Sequence, residues 1–154
     1  MKPIIDRAGP ADLAALRELE HAVFGAESYP SCFLRQAMAL WPDWVLIARP
    51  AAGAAPVGYM VAAKSAHPGE GWILSAATLP AWRGRGIGRV LLERLLATMD
   101  AAGLTEIRLT VHPANAVACR LYERAGFVHE ARDEAYFGPD QPRLILVRRA
   151  PLDR

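Results

Sequence analysis

The chain has 154 residues, of which 53% are hydrophobic and 22% charged, and its formal net charge is +2. This length and composition are typical of one globular domain with its own core. The small positive charge gives no indication of a nucleic-acid partner, and no apolar run approaches the ~20 residues of a membrane span. We therefore expect a single domain over residues 1–154 that binds neither nucleic acid nor a membrane.

The two cysteines, Cys32 and Cys119, lie far apart and form no metal-ligand spacing. Because no close group of histidine, cysteine and carboxylate residues occurs, we expect no metal site. Charged residues at Asp6, Arg7 and Asp12 interrupt the apolar run that a secretory signal needs. These features predict a protein of the reducing cytoplasm.

Turn residues divide the chain into strands and helices. Apolar residues recur at helical spacing after Pro10 and after Ser31, which is the expected N-cap of the second helix. Gly103 and Gly126 follow the ends of the last two helices. In chain order we predict a strand at 4–8, helices at 10–23 and 31–40, strands at 44–49, 57–65 and 72–79, a helix at 87–102, a strand at 106–112, a helix at 116–125, and strands at 127–135 and 144–149.

This order, βααβββαβαββ, indicates an α/β fold built on one mixed sheet. Helices that alternate with strands pack on both faces of such a sheet. The predicted elements include about seven strands. The first strand is short and is expected at an edge of the sheet.

Residues 83–88, Arg-Gly-Arg-Gly-Ile-Gly, are the most informative stretch of the chain. Glycines let the backbone curl and approach a ligand closely, and the helix that follows directs its unpaired N–H groups at the loop. The stretch therefore predicts a site for a phosphate or pyrophosphate. It has neither the lysine of a Walker loop nor the spacing of a Rossmann fingerprint. The alternative is a glycine-rich turn before a surface helix.

The last predicted helix carries a second informative pattern. Asn115 and Tyr122 are seven residues apart and share one helix face. Ala118 and Cys119 lie between them, and their small side chains allow another group to approach. Asn115 is also the expected N-cap of this helix. The alternative for Tyr122 is a ring packed in the core.

Together, the two stretches resemble the GNAT acetyltransferases. The first matches the Arg/Gln-x-x-Gly-x-Gly loop that binds the pyrophosphate of coenzyme A in that family. The second matches Asn-x-x-Ala-x-x-Leu-Tyr-x-x-x-Gly-Phe, with Asn115, Ala118, Leu121, Tyr122, Gly126 and Phe127 at the defined positions. The resemblance covers residues 56–138 well and is nearest to the ribosomal-protein-alanine N-acetyltransferase branch.

The resemblance implies a GNAT fold, whose central sheet of about seven strands is mostly antiparallel. It also implies the direct transfer of an acetyl group from acetyl-CoA to a primary amine. The amine is either a protein N-terminus or a small molecule, and the enzyme is a monomer or homodimer. The family's coenzyme-binding positions correspond to Ala76, Ala77, Thr78, Arg83, Gly84, Arg85, Gly86, Ile87, Gly88 and Asn115. Family topology also implies that residues 24–33 and 136–142 line the acceptor pocket.

The resemblance implies Tyr122 as the proton donor to the departing thiolate, since a reference pKa of ~10 keeps a phenol protonated. The branch carries a glutamate as general base where this chain has Thr110, which takes no proton at neutral pH. His112 lies two residues after Thr110, so both side chains face the same side of the strand, and His112 is one alternative base. Glu70 is another. A third possibility is that the amine arrives neutral.

Two functions of other classes remain alternatives at this stage. An acyl-CoA-binding module without transferase activity is compatible with the missing glutamate. A nucleotide-binding protein is compatible with the glycine loop alone. Steady release of free coenzyme A only when an amine is supplied separates the enzyme from the binding module. Competition by ATP against coenzyme A in a binding assay decides on the nucleotide-binding protein.

Overall fold

A mixed sheet of seven strands runs through the computed structural model, which describes residues 2–151. The elements in chain order are β1 (Ile4–Arg7), α1 (Leu13–Phe24), α2 (Ser31–Leu40), β2 (Val45–Arg49), β3 (Gly58–Lys64), β4 (Glu70–Thr78), α3 (Ile87–Ala101), β5 (Glu106–Val111), α4 (Ala116–Arg124), β6 (Val128–Asp133) and β7 (Arg143–Arg149). Short 3-10 turns lie at Pro10–Asp12, Gly25–Glu27, Pro42–Trp44 and Pro80–Trp82.

The strands lie in the order β1-β2-β3-β4-β5-β7-β6, with β1 at one edge. Only β4 and β5 run parallel, and every other neighbouring pair is antiparallel. The predicted order of elements and the mostly antiparallel mixed sheet are therefore confirmed. None of the helices within residues 2–151 is long and apolar enough to cross a membrane.

The N-cap prediction for the second helix is wrong. Pro30 occupies the N-cap position with extended dihedrals (φ −69°, ψ 154°), and Ser31 is already helical. Proline suits a helix entrance because it has no N–H to leave unpaired. No side chain caps this helix end.

Helices cover both faces of the sheet, and each face has its own cluster of buried side chains. On one face α3 packs Leu91, Leu95 and Met99 against the central strands. On the other face α1 and α2 place Leu16 and Leu34 against the sheet. Burial of these side chains stabilises the fold by roughly 1.5–3 kcal/mol each.

The core leaves no room for a side chain at Gly71, on β4. A Cβ there would lie 2.6 Å from Met99 Cε and 2.8 Å from Leu104 Cδ1. We expect Gly71→Val to lower the free energy of unfolding by about 1–3 kcal/mol through overpacking, measured by urea denaturation. Gly9→Val is the matched control, since nothing lies within 4 Å of a Cβ at Gly9. Equal stability losses in the two variants would contradict the packing described.

Candidate active site

A cleft opens where β4 and β5 separate. Residues 70–72 of β4 pair with residues 106–108 of β5. Beyond Trp72 the two strands form no hydrogen bonds with each other. The cleft between the separated halves has a volume of ≈ 730 Å³. Its walls come from β4, β5, α4, the end of α1 and the segment before β7.

A β-bulge in β4 lies at the start of this separation. Val61 of β3 pairs with Ser75 and Ala62 pairs with Ile73, so Leu74 is an extra residue. The Leu74 carbonyl accepts a hydrogen bond of 3.3 Å from the Tyr29 hydroxyl. Because a bulge bends its strand and increases its twist, this one directs β4 away from β5.

The register shows which backbone groups of β4 face the cleft. The Leu79 N–H donates to the Val57 carbonyl at 2.9 Å. Because bonded and non-bonded pairs alternate along an antiparallel ladder, Ala77 directs its N–H and C=O to β3. Ala76 and Thr78 direct theirs to the opposite side, away from β3. Ala76 lines the cleft there, and an extended ligand can pair with its backbone and with the Thr78 N–H. The prediction that the Ala77 backbone binds the coenzyme is therefore corrected.

The glycine loop forms a nest of unpaired N–H groups at the start of α3. Gly84 (φ 77°) and Gly86 (φ 79°) are left-handed, a conformation that glycine adopts without strain. The first helical bond runs from Val90 N–H to the Gly86 carbonyl at 3.0 Å. Within residues 2–151 the N–H groups of residues 86–89 have no acceptor. This is the arrangement that binds phosphate oxygens.

Two arginines of the loop are held beside this nest. Arg83 lines the cleft, and its Nε donates to the Thr78 carbonyl at 3.2 Å. Arg85 lies over the Trp82 ring, 4.7 Å from the centroid. Their positive charges add to the attraction of the helix N-terminus for an anion.

Asn115 caps α4 as predicted. Its Oδ1 accepts a 3.1 Å bond from the Ala118 N–H, so its side-chain NH₂ group remains available to a ligand. Asn115 lines the cleft, as does Ala118. The helix cap and a contact with a bound ligand are therefore compatible.

Tyr122 reaches the cleft from two turns further along α4. The residue is 6% exposed, and its ring packs edge-on against Phe127 with centroids 5.6 Å apart. Its hydroxyl has no hydrogen-bond partner among the described residues. None of their fully buried side-chain polar atoms lacks a partner, so the Tyr122 oxygen is not fully buried and opens into the cleft. Burial raises the pKa of Tyr122 to about 12. The phenol therefore stays protonated throughout the neutral range.

His112 lines the cleft together with Thr110, as their shared parity predicted. The His112 Nδ1 accepts a 3.0 Å bond from the Ala114 N–H. A neutral imidazole carries one proton, so that proton lies on Nε2. In this arrangement Nε2 donates a hydrogen bond and accepts none. The geometry therefore argues against His112 as a direct acceptor of the amine proton.

Glu70 lies outside the cleft, at the end of β4 where the strands are still paired. Its carboxylate accepts bonds from Trp72 Nε1 at 2.7 Å and from Arg108 at 2.8 Å. The bond from Trp72, together with the Arg108 charge, lowers the pKa of Glu70. The prediction of Glu70 as general base is corrected, because the residue is both misplaced and less basic than a free glutamate.

Glu20 is a cleft residue that the sequence analysis missed. It lies on α1, is 1% exposed and lines the cleft floor. One carboxylate oxygen accepts bonds from the Tyr59 hydroxyl and from Ser75 Oγ, the latter at 2.7 Å. The other oxygen accepts the Tyr29 N–H at 3.2 Å.

The buried position of Glu20 has a signal in the sequence. It lies four residues after Leu16, on the apolar face of α1 where a hydrophobic residue is expected. Burial, with the hydrogen bond to Glu20, raises the pKa of Tyr59, which therefore stays a donor to the carboxylate. The group joins α1, β3 and the bulge of β4 at the base of the cleft.

Both segments expected at the acceptor end contribute to the cleft. Phe24, Glu27 and Tyr29 come from the end of α1 and the following segment. Phe137 and Gln141 come from the segment between β6 and β7. Within residues 2–151, no group of His, Cys, Asp and Glu side chains is arranged to hold a metal ion.

Comparisons with known proteins agree with this geometry. The sequence model of the acetyltransferase (GNAT) family matches residues 13–127. An uncharacterised N-acetyltransferase of Methanocaldococcus jannaschii is 28% identical, over 96% of this chain and 92% of its own length.

Solved structures share the fold. The NatC complex bound to Gag peptide and CoA contains a chain with a TM-score of 0.88 and 24% identity, covering 98% of this chain and 100% of its own. The ribosomal-protein-S18-alanine N-acetyltransferase from Escherichia coli has a TM-score of 0.83 and 19% identity, covering 99% and 97%. The GNAT fold is confirmed. Similarity to the ribosomal-protein-alanine branch is found in sequence as well, since the ribosomal protein bS18-alanine N-acetyltransferase of Salmonella typhimurium is 38% identical over 58 residues, 38% of this chain and 39% of its own length.

Proposed function

Because this chain belongs to the acetyltransferase (GNAT) family, we propose that its cleft acetylates the α-amino group of a peptide or of a small molecule. The chain is an N-acetyltransferase that depends on acetyl-CoA. The observation that carries the proposal is that three features lie in or beside one cleft, which Arg83 of the glycine loop also lines. These are the unpaired N–H nest before α3, the unpaired edge of β4 and the free hydroxyl of Tyr122.

The chain's own groups fit coenzyme A along the cleft. The N–H groups of residues 86–89 and the side chain of Arg83 suit the pyrophosphate. Ala76 and Thr78 offer backbone groups that pair with the amides of the pantetheine arm. Asn115 offers its side-chain NH₂ group to the same arm. Bound acetyl-CoA supplies a thioester whose carbonyl carbon a neutral amine attacks.

In the proposed reaction Tyr122 protonates the sulfur that leaves. A C–N bond forms to the amine, the C–S bond breaks, and the Tyr122 hydroxyl gives its proton to the thiolate. Solvent returns a proton to Tyr122 as the amine nitrogen loses one. The transfer is direct, because neither Cys32, which is exposed on α2, nor Cys119 lines the cleft.

The amine reaches this cleft in its neutral form. Thr110 takes no proton, His112 Nδ1 is occupied by a backbone N–H, and Glu70 lies elsewhere. Glu20 already accepts three hydrogen bonds, so it holds Tyr29 and the bulge in place. An α-amino group with a pKa of ~8 is neutral in roughly a tenth of molecules at pH 7. Lysine at ~10.4 is neutral in only a few molecules per ten thousand.

We therefore expect a preference for α-amino groups over lysine side chains on the order of 10²-fold at pH 7, from the neutral fractions alone. The measurement compares acetylation rates of two peptides: one with a free N-terminus, and one whose N-terminus is blocked and which offers only a lysine side chain. The rate should rise with pH up to the pKa of the acceptor amine. The double variant Glu70→Gln, His112→Ala should keep this pH profile.

Two outcomes contradict the neutral-amine account. Efficient acetylation of lysine side chains at pH 7 by the double variant is one. The other is a rate loss in His112→Ala that is present at pH 7 and absent at pH 9, which would make His112 the proton acceptor.

We further propose a cytoplasmic location, supported by the two free cysteines.

A further inference from the structure

Arg143, the first residue of β7, is a half-buried cation in the wall of the cleft. Its Nη1 donates to the Pro142 carbonyl at 2.7 Å, and its Nη2 reaches Gln141 Oε1 at 3.5 Å. The guanidinium also lies over the Phe137 ring, 5.0 Å from the centroid. A guanidinium has five N–H groups, so most of those of Arg143 remain free.

No carboxylate within the described residues forms an ion pair with Arg143. Asp133 is its cross-strand partner on β6, but an Asp133 oxygen accepts the Ala135 N–H at 2.9 Å. Glu20 and Glu27 line the same cleft from the α1 side. Glu20 already accepts three hydrogen bonds, from Tyr59, Ser75 and Tyr29.

A half-buried charge without a counter-ion is costly to keep, because burial removes water and neutral partners replace only part of that hydration. The stack on Phe137 and the bond to Pro142 fix the guanidinium plane in one orientation. A fixed, planar guanidinium matches a carboxylate through two parallel hydrogen bonds. Arg143 is therefore prepared to bind an anion that enters the cleft.

Resting on the proposed function, we infer that Arg143 binds a carboxylate of the acceptor, so that amines with a carboxylate near the reacting nitrogen are the preferred substrates. The carboxylate is a side-chain carboxylate, either of an acidic residue near a peptide N-terminus or of a free acidic amino acid. Arg143 lines the same cleft as Tyr122, which protonates the leaving group at the reacting centre. Arg143 is a specificity residue in this account and takes no part in proton transfer.

Matched acceptors test this inference. The peptides Ala-Asp-Ala-Ala and Ala-Asn-Ala-Ala differ only in charge, as do free glutamate and glutamine. We expect wild-type kcat/KM to favour the acidic member of at least one pair by roughly tenfold, as for one charge-assisted contact. In Arg143→Gln that preference should disappear, while kcat/KM on the neutral member changes by less than about threefold. A preference within the peptide pair alone identifies a peptide substrate, and one within the amino-acid pair alone a small molecule.

Arg124→Gln is the control, because it removes the same charge from an exposed residue of α4 that does not line the cleft. This variant should keep the wild-type preference. If Arg143→Gln lowers kcat/KM equally for both members of a pair, the inference is overturned and the role of Arg143 is purely structural. A wild-type enzyme that acetylates both members equally would also overturn it, while leaving the proposed acetyl transfer intact.

A second measurement does not depend on the folding of a variant. The wild-type preference for the acidic acceptor should shrink as the ionic strength is raised, because salt screens the attraction. The rate on the neutral acceptor is the internal reference. A preference that is independent of salt would contradict an ion pair with Arg143.

Discussion

Replacing Tyr122 with phenylalanine should lower turnover roughly 10²-fold or more, the size expected when a general acid is lost. The change keeps the ring that packs on Phe127 and removes only the hydroxyl that opens into the cleft. Thermal stability and acetyl-CoA affinity should therefore change little. Release of free thiol under saturating acceptor measures the effect.

Tyr136→Phe is the matched control, because it removes a hydroxyl from a partly exposed tyrosine that does not line the cleft. It should keep full turnover. The pH profile gives a second check, since burial raises the pKa of Tyr122 to about 12. An acid with a raised pKa stays protonated to higher pH, so the rate should not fall between pH 7 and pH 10. Full turnover in Tyr122→Phe would remove Tyr122 from the mechanism.

Replacing Gly86 with glutamate should abolish coenzyme binding. The residue precedes α3 with φ 79°, and the unpaired N–H groups of residues 86–89 begin at it. A side chain there brings bulk and a negative charge to the place proposed for the pyrophosphate. Calorimetric titration with coenzyme A measures the loss.

The same substitution at Gly103 is the control for backbone strain. Gly103 follows α3 with φ 84°, and nothing lies within 4 Å of a Cβ there. A non-glycine residue in this conformation costs roughly 1–2 kcal/mol at either position. Gly103→Glu should therefore be destabilised to a similar degree and still bind coenzyme A. Unchanged affinity in Gly86→Glu would make the loop a turn without a ligand.

The order of elements and the conformation of the glycine loop before α3 could be predicted because their signals are local. Helical spacing, prolines and glycines mark the ends of helices such as α3. The glycines of residues 83–88 likewise predict the curled backbone of that loop. The Asn115 cap is equally local, since donor and acceptor are three residues apart. Such features depend on a few neighbouring residues and little on the tertiary fold.

The surroundings of the candidate proton acceptors could not be predicted, because they depend on contacts between distant segments. Glu70 is predicted just before the strand over 72–79 and is in fact the first residue of β4. Only the pairing with β5 shows that this end of β4 is closed. The tautomer of His112 is decided by a bond from Ala114 in the turn. Glu20 meets Tyr59 and Ser75 across 39 and 55 residues of sequence.

The backbone of β4 illustrates the same limit. Along a strand, the backbone N–H and C=O groups of successive residues such as Ala76 and Ala77 point to opposite edges. Which of the two residues directs its groups to the cleft depends on the register of β4 with β3. The bulge at Leu74 shifts that register by one residue, and no residue type in the sequence marks it. Positions that bind a ligand through the backbone are therefore visible only in the folded chain.

The most direct test of the account is the release of free coenzyme A from acetyl-CoA by the purified protein, with and without a peptide that has a free α-amino group. We expect steady release only when the peptide is present, with one N-terminally acetylated peptide found by mass spectrometry for each thiol released. Tight binding of acetyl-CoA with no amine-dependent release, across peptide and small-amine acceptors, would contradict the account and indicate a binding module without transferase activity.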